Sequence, residues 1–166
     1  MINGLGDDWL VQAVNSGGIF DNYGCIHTSK NIKEAIHRLQ PNYTHHQLVA
    51  ELGFGFWLYL FASHQFNMTG RTLLRIFPMK PPSSQAIHYN HKFVFNRLAQ
   101  INVLRNRIAH HEPICFLKGL PIKSSTYIKS HYVMMTQIFN WMEIDDKKLL
   151  FGLNNIDQLC KHLDNL

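Results

Sequence analysis

The sequence predicts a single all-α domain. Apolar residues recur at intervals of three and four positions along most of the chain, which is the spacing of amphipathic helices. No segment alternates convincingly between apolar and polar residues, and there is no internal repeat. With 166 residues, 46% of them apolar and 16% charged, the chain is long enough for one core and too short for two ordinary domains.

The first part of the chain combines an irregular segment with one helix. Residues 1–28 are rich in Gly, Asn and Asp, so we expect an irregular N-terminal segment made of a short element and loops. Residues 29–40 then carry a one-sided apolar stripe that stops before a proline. This pattern predicts a helix that packs one face against the core.

A second helix is predicted to open at Thr44. Gln47 follows three positions later, and this pair matches a capping box, in which each side chain bonds the other residue's backbone N–H. Apolar residues within 48–60 are expected to point inward. Gly53 and Gly55 lower the helix propensity there and indicate close approach of another backbone.

Three further helical regions follow. A short helix is expected at 70–77, ended by the loop "PMKPPSSQ". A long helix is predicted over 85–112, where the following proline disfavours continuation. Ser124 or Ser125 is expected to cap a helix that runs through Met142. The stretch "EIDDKK" then begins one or two short terminal helices.

The composition points to a cytoplasmic protein with no membrane segment. The three cysteines lie far apart and form no CxxC pair, which fits a reducing compartment. The N-terminus lacks the basic and apolar regions of a secretory signal. The most apolar window, 48–62, is too short and too interrupted to span a bilayer.

The charge balance favours a polyanionic partner. Sixteen Lys and Arg residues against eleven Asp and Glu give a net charge of +5 at pH 7. Such a balance favours nucleic acid first among polyanions, although a charge of +5 is moderate and also occurs on proteins that bind none. No acid-rich or Cys-rich ligand set accompanies His45–His46 or the pair His88 and His91, so we expect no metal and no cofactor.

The stretch "RNRIAHHE", residues 105–112, places polar groups at the end of the long helix. At about 100° per residue, Arg105 falls in a stripe with the aliphatic residues Val94, Leu98, Ile101 and Ile108. The opposite side of the helix also carries apolar residues. We therefore expect this helix to be covered on more than one side, including by a second copy in a homodimer. A charged group there must be paired or used.

These residue types fit metal-free cleavage of RNA. Arginine binds phosphate through two hydrogen bonds, and histidine moves protons near neutral pH. Together they suffice for attack of a 2′-hydroxyl on its own phosphate. The candidate residues are, for catalysis, Arg105 and His110; in supporting roles, Asn106, His111 and Glu112; and for contact with RNA, Arg97 and Arg107.

Three stretches also resemble a known family. "LRNRIAHHEPI" (104–114), "ELGFGFWLYLF" (51–61) and "LLRIFP" (73–78) look like the Abi-like family of bacterial abortive-infection proteins, within the HEPN superfamily. The signature of that superfamily is an Arg, usually followed by Asn, then four to six residues and a His. The resemblance covers roughly residues 28–145. On it, Arg105, Asn106 and His110 take the signature positions.

The resemblance implies a HEPN-like helical bundle that is usually dimeric, with the Arg/His motifs of two subunits facing each other across a cleft. It implies a metal-independent endoribonuclease that acts in phage defence or as a toxin, with an antitoxin protein as a further partner. Family members generally carry further N-terminal helices, so the chain is expected to be N-terminally short.

Two other hypotheses remain beside the ribonuclease. In the first, the Arg–Asn–His network is structural and the chain is a non-catalytic HEPN-fold module that binds RNA or protein. In the second, the histidines form a metalloenzyme site, against which the missing ligand set argues. The motif residues are present both in the ribonuclease and in the non-catalytic module, so sequence separates these two poorly.

Overall fold

The structure, a computed structural model, describes residues 8–117 and 119–165. These residues are mostly helical and form no β-strand, which confirms the all-α class. None of the helices in this part of the chain has the length and apolar character needed to cross a membrane. The α-helices are α1 (Trp9–Val14), α2 (Ile26–Leu39), α3 (His45–Glu51), α4 (Phe54–Tyr59), α5 (Ser63–Met68), α6 (His91–Ala109), α7 (Thr126–Trp141), α8 (Asp146–Leu149) and α9 (Ile156–Asp164).

The chain divides into two compact units. The first consists of the described part of residues 1–75 together with 89–95, and the second of residues 76–88 and the described residues from 96 onward. Helix α6 begins in the first unit and ends in the second. Two 3₁₀ turns, Tyr23–Cys25 and Leu73–Ile76, complete the regular structure of the described residues.

The core of the first unit gathers around α2. Ile32 and Ala35 of the predicted stripe are fully buried. Helix α2 begins at Ile26, three residues earlier than expected, and the segment before it contains α1. The other buried residues of this core come from α1, α3, α4 and the turns between them: Leu10, Ala13, Val14, Phe20, Cys25, Leu48, Leu52, Phe56 and Leu60.

The predicted capping box at Thr44 is confirmed. The Thr44 hydroxyl accepts from the Gln47 N–H, and the Gln47 side chain accepts from the Thr44 N–H at 2.7 Å. The helix nevertheless stops at Glu51, and α4 starts anew after Gly53. A Cβ atom added at Gly53 or Gly55 would meet nothing within 4 Å, so the expected close backbone approach was wrong. Glycine's low helix propensity accounts for the break instead.

Helix α6 is shorter than predicted at both ends. It begins at His91, where Asn90 Oδ1 accepts from the N–H groups of Lys92 at 3.0 Å and Phe93 at 3.1 Å. An Asn in this position caps a helix and sets its first residue. His88 therefore lies before the helix rather than on a face shared with His91. At the other end α6 stops at Ala109.

In the second unit, a carboxylate from the far end of the chain caps α7. The Asp164 carboxylate accepts from the backbone N–H of Ser125 at 2.9 Å, from its hydroxyl at 2.6 Å, and from Lys129 Nζ at 2.7 Å. Of the two predicted cap residues, Ser124 accepts through its hydroxyl from the Thr126 N–H at 3.2 Å, whereas the Ser125 side chain makes no cap bond. Helix α9 is thereby fastened to the start of α7. Met134, Ile138 and Trp141 of α7 and Cys160 of α9 are buried.

Candidate active site

The end of α6 is closed by a Schellman motif. The Glu112 N–H donates to the Arg107 carbonyl at 2.8 Å, and the His111 N–H donates to the Ile108 carbonyl at 3.0 Å. His111 has φ of +55°, in the left-handed region that this motif requires and that glycine usually supplies. The His110 N–H still bonds the Asn106 carbonyl at 2.9 Å, so His110 continues the helical path.

Arg107 joins this helix end to the linker and to α7. Its Nε lies 3.3 Å from Glu112 Oε2, and its guanidinium also donates to the Pro113 carbonyl. The same group lies over the ring of Tyr127, 4.9 Å from the ring centre. Arg107, a predicted RNA contact, and Glu112, a predicted supporting residue, thus bond to each other and to the neighbouring chain.

Arg105 and His110, the predicted catalytic pair, are exposed. Arg105 Nη1 donates to Asn106 Oδ1 at 3.1 Å. The described residues provide no hydrogen-bond partner for the imidazole of His110. Asn106 is exposed as well, and Arg97, the other predicted RNA contact, is half-buried. The structure therefore leaves Arg105, Asn106 and His110 available on the surface.

The apolar stripe of α6 is covered at one end only. Val94 is completely buried, Leu98 and Ile101 are half-buried, and Ile108 is 53% exposed. Arg105 lies in the exposed part of this stripe. Its coverage by a second copy stays a prediction. The aliphatic residue Ile108, three positions further on, shares its face.

Helix geometry separates the two candidate catalytic residues of one chain. Arg105 and His110 are five positions apart, which corresponds to about 140° around the axis. Asn106 lies four positions before His110 on the same face and is bonded to Arg105. A phosphate that contacts both groups therefore bridges two sides of one helix or meets residues from two chains.

A cavity that the sequence did not reveal lies beside this helix end. It measures about 670 Å³ and is lined by residues of α6, of the linker that follows it and of α7. Val103, Arg107 and Glu112 come from or follow α6, and Tyr127 comes from α7. The local sequence does not predict this cavity, because its lining residues lie up to 27 positions apart, from Val103 to Ser130.

The first unit holds a further histidine arrangement. The ring of His91 stacks on Phe66 with centroids 4.4 Å apart, and its Nε2 lies 3.3 Å from the Ser63 hydroxyl. Partial burial, with the positive charges of Lys92 and Arg71, lowers the pKa of His91. Within the described residues, no group of three His, Cys, Asp or Glu residues is placed to hold a metal ion.

The arrangement at the end of α6 offers an exposed guanidinium, an amide and an imidazole beside a partly apolar cavity. These groups are suited to binding a phosphate and to moving a proton. Comparison of the chain with protein-family models, curated proteins and solved structures gives no match.

Proposed function

We propose that this chain is a metal-independent endoribonuclease of the HEPN type that acts in phage defence or as a cytoplasmic toxin. One observation carries the proposal. Within "RNRIAHHE", Arg107 and Glu112 hold the helix end, whereas Arg105 and His110 are exposed and contribute little to it. A purely structural network would engage all four residues. This difference in contacts favours a functional role for Arg105, Asn106 and His110.

In the proposed reaction, His110 takes the proton from a ribose 2′-hydroxyl as the oxygen attacks the adjacent phosphorus. The bond to the 5′-oxygen breaks, and that oxygen leaves with a proton from an acid, which is the second histidine in a paired site. Arg105 stabilises the additional negative charge on the phosphoryl oxygens. Asn106 orients the phosphate or the imidazole. The products are a 2′,3′-cyclic phosphate and a 5′-hydroxyl.

We propose that a second copy of the chain completes the site. The separation of about 140° between Arg105 and His110 keeps one chain from presenting both groups on one side. Ile108, 53% exposed beside Arg105, supplies an uncovered aliphatic surface for the contact. In a symmetric dimer the same patch occurs on both subunits, so Arg105 of one faces the motif of the other. A neutralising antitoxin protein is a further partner in the toxin setting.

The proposal is tested by cleavage of labelled RNA with purified protein. His110→Ala should lower the rate by about 10²- to 10⁴-fold, and Arg105→Ala by about 10²- to 10³-fold. Cleavage should persist in EDTA and should stop when the scissile ribose is 2′-deoxy. Arg75→Ala, which removes an exposed arginine elsewhere, is the matched control and should cleave normally.

A requirement for a divalent cation, or cleavage of 2′-deoxy substrates, would rule out this mechanism. If no RNA is cut while His110→Ala lowers the melting temperature sharply, the motif is structural. Binding of RNA without cleavage would instead identify the non-catalytic HEPN-fold module.

A further inference from the structure

The cavity beside the end of α6 is partly apolar and partly polar. Its volume of about 670 Å³ lies within the range of small-ligand sites. Val103 is 53% exposed, Phe116 is 41% exposed and Leu117 is 39% exposed, so aliphatic and aromatic surface lies open there. The ion pair between Arg107 and Glu112 adds the polar groups. This combination suits a flat heteroaromatic ring with hydrogen-bonding edges.

The cavity shares a helix face with the proposed proton-transfer residue. Val103 and Arg107 line it, and His110 follows them at positions i+7 and i+3 along the helical path. Residues at these spacings lie one above another on one side of a helix. A nucleotide whose phosphate reaches His110 therefore has its base close to the cavity.

Two groups in the cavity offer planar contact to a base. The ring of Phe116 is partly exposed, and the planar guanidinium of Arg107 is held in place by its bonds to Glu112 and Pro113 and by the ring of Tyr127. Proteins stack unpaired bases on aromatic rings and on arginine guanidinium planes. Such stacking accepts any base. Selection among bases therefore depends on hydrogen bonds to the polar edge of the base.

Glu112 is the residue that bonds the polar edge of the base. One carboxylate oxygen pairs with Arg107, and the side chain remains 53% exposed. An ionised carboxylate accepts about four hydrogen bonds, so capacity remains after this pair forms. Guanine presents two adjacent N–H donors, at N1 and N2, which match one carboxylate. Adenine and cytosine place an acceptor beside their amino group, and uracil flanks its N–H with two carbonyls.

We propose that this cavity binds a guanine base of the RNA, with Phe116 and Arg107 against the ring and Glu112 on its Watson–Crick edge. The inference rests on the proposed function, since it places the bound nucleotide next to His110. It adds a preference for the base beside the cleaved bond. The occupant is a base rather than a second copy, because a carboxylate and a guanidinium lie among the apolar side chains.

The test measures binding of fluorescent 2′-O-methyl pentanucleotides, UUGUU and UUAUU, which cannot be cleaved because they lack the 2′-hydroxyl. The wild type should bind UUGUU about ten- to a hundredfold more tightly than UUAUU. Glu112→Gln should abolish this preference. Its matched control is Glu143→Gln, the same change at the end of α7, where Glu143 also follows a helix and is exposed.

A second variant is needed in case Glu112→Gln disturbs the end of α6. Phe116→Ala should weaken binding of both oligonucleotides by about tenfold. Its control, Phe151→Ala, removes a ring that is 88% exposed in the same unit and should bind as the wild type does. Melting temperatures of all variants show whether folding is intact.

Equal binding of UUGUU and UUAUU by the wild type would overturn the proposal. So would a Phe116→Ala variant that converts a dimer to a monomer in sedimentation, which would make the cavity a subunit contact. If guanine binding depends on Glu112 and Phe116 but no RNA is cut, the proposed ribonuclease fails and the base site stands. If RNA is cut without preference for guanine, only the base site fails.

Discussion

The guanidinium of Arg107 lies over the ring of Tyr127, 4.9 Å from its centre, and ties the end of α6 to α7. Arg105, two positions earlier in the same motif, bonds only its neighbour Asn106 among the described residues. Two arginines of one short motif therefore have different tasks.

Arg107→Ala should destabilise the protein by about 1–2 kcal/mol, because it removes a cation–π contact and a hydrogen bond to the Pro113 carbonyl. For a chain of this size the melting temperature should fall by about 2–8 °C. Arg105→Ala is the matched control and should stay within about 0.5 kcal/mol of the wild type. Equal losses in both variants, measured by thermal denaturation, would contradict this division.

His111→Gly should stabilise the protein. His111 holds φ of +55°, a conformation that costs a side chain with a Cβ atom and costs glycine nothing comparable. The expected gain is about 0.5–1 kcal/mol, or about 1–4 °C in melting temperature. His110→Gly changes a residue without positive φ and should lower the melting temperature. A His111→Gly variant that melts below the wild type would show that the His111 side chain makes a stabilising contact.

Ile108→Asp should convert the proposed homodimer to a monomer. The side chain is 53% exposed on the face that carries Arg105, and an aspartate there would place two like charges across a symmetric contact. Sedimentation velocity at tens of micromolar should show the change. Val133→Asp, at a residue 63% exposed on α7, should remain dimeric. A wild type that is strictly monomeric at this concentration would refute the predicted dimer.

Stability in acid should depend on Asp164. Hydrogen bonds from Lys129 and from the Ser125 hydroxyl and N–H lower the pKa of Asp164 to about 2. In the unfolded chain an aspartate has a pKa of about 3.9. Between these values the unfolded state binds more protons, so the contribution of Asp164 is complete above pH ~4 and is lost as the pH falls towards 2.

Urea unfolding from pH 5 to pH 2 measures this contribution. The advantage of the wild type over Asp164→Asn should be largest near pH 5 and should shrink towards pH 2. Asp157→Asn, at an exposed position of the same helix, should follow the wild type over this range. A constant difference between wild type and Asp164→Asn at all pH values would show that the charge of the carboxylate is not what matters.

By itself, the sequence determined the all-α class and the features whose partners lie within one turn. The capping box could be predicted because Thr44 and Gln47 lie three positions apart, and both of its bonds join these two residues. The proline at 113 indicated that α6 ends before it, but the predicted end at 112 lies three residues beyond the observed one. Its exact place at Ala109 depended on whether His111 would accept a left-handed conformation, which residue type alone does not decide.

Only the tertiary structure decided which polar residues are used for folding. The sequence alone does not distinguish the roles of Arg105 and Arg107. The roles differ because Arg107 contacts Tyr127, which lies twenty positions away on another helix. The cap of α7 comes from Asp164, thirty-nine positions beyond Ser125. The cavity lined by Arg107 and Tyr127 likewise arises where α7 and the linker meet α6. Local hydrogen bonds are set by spacing along the chain, whereas these contacts are set by how separate helices pack.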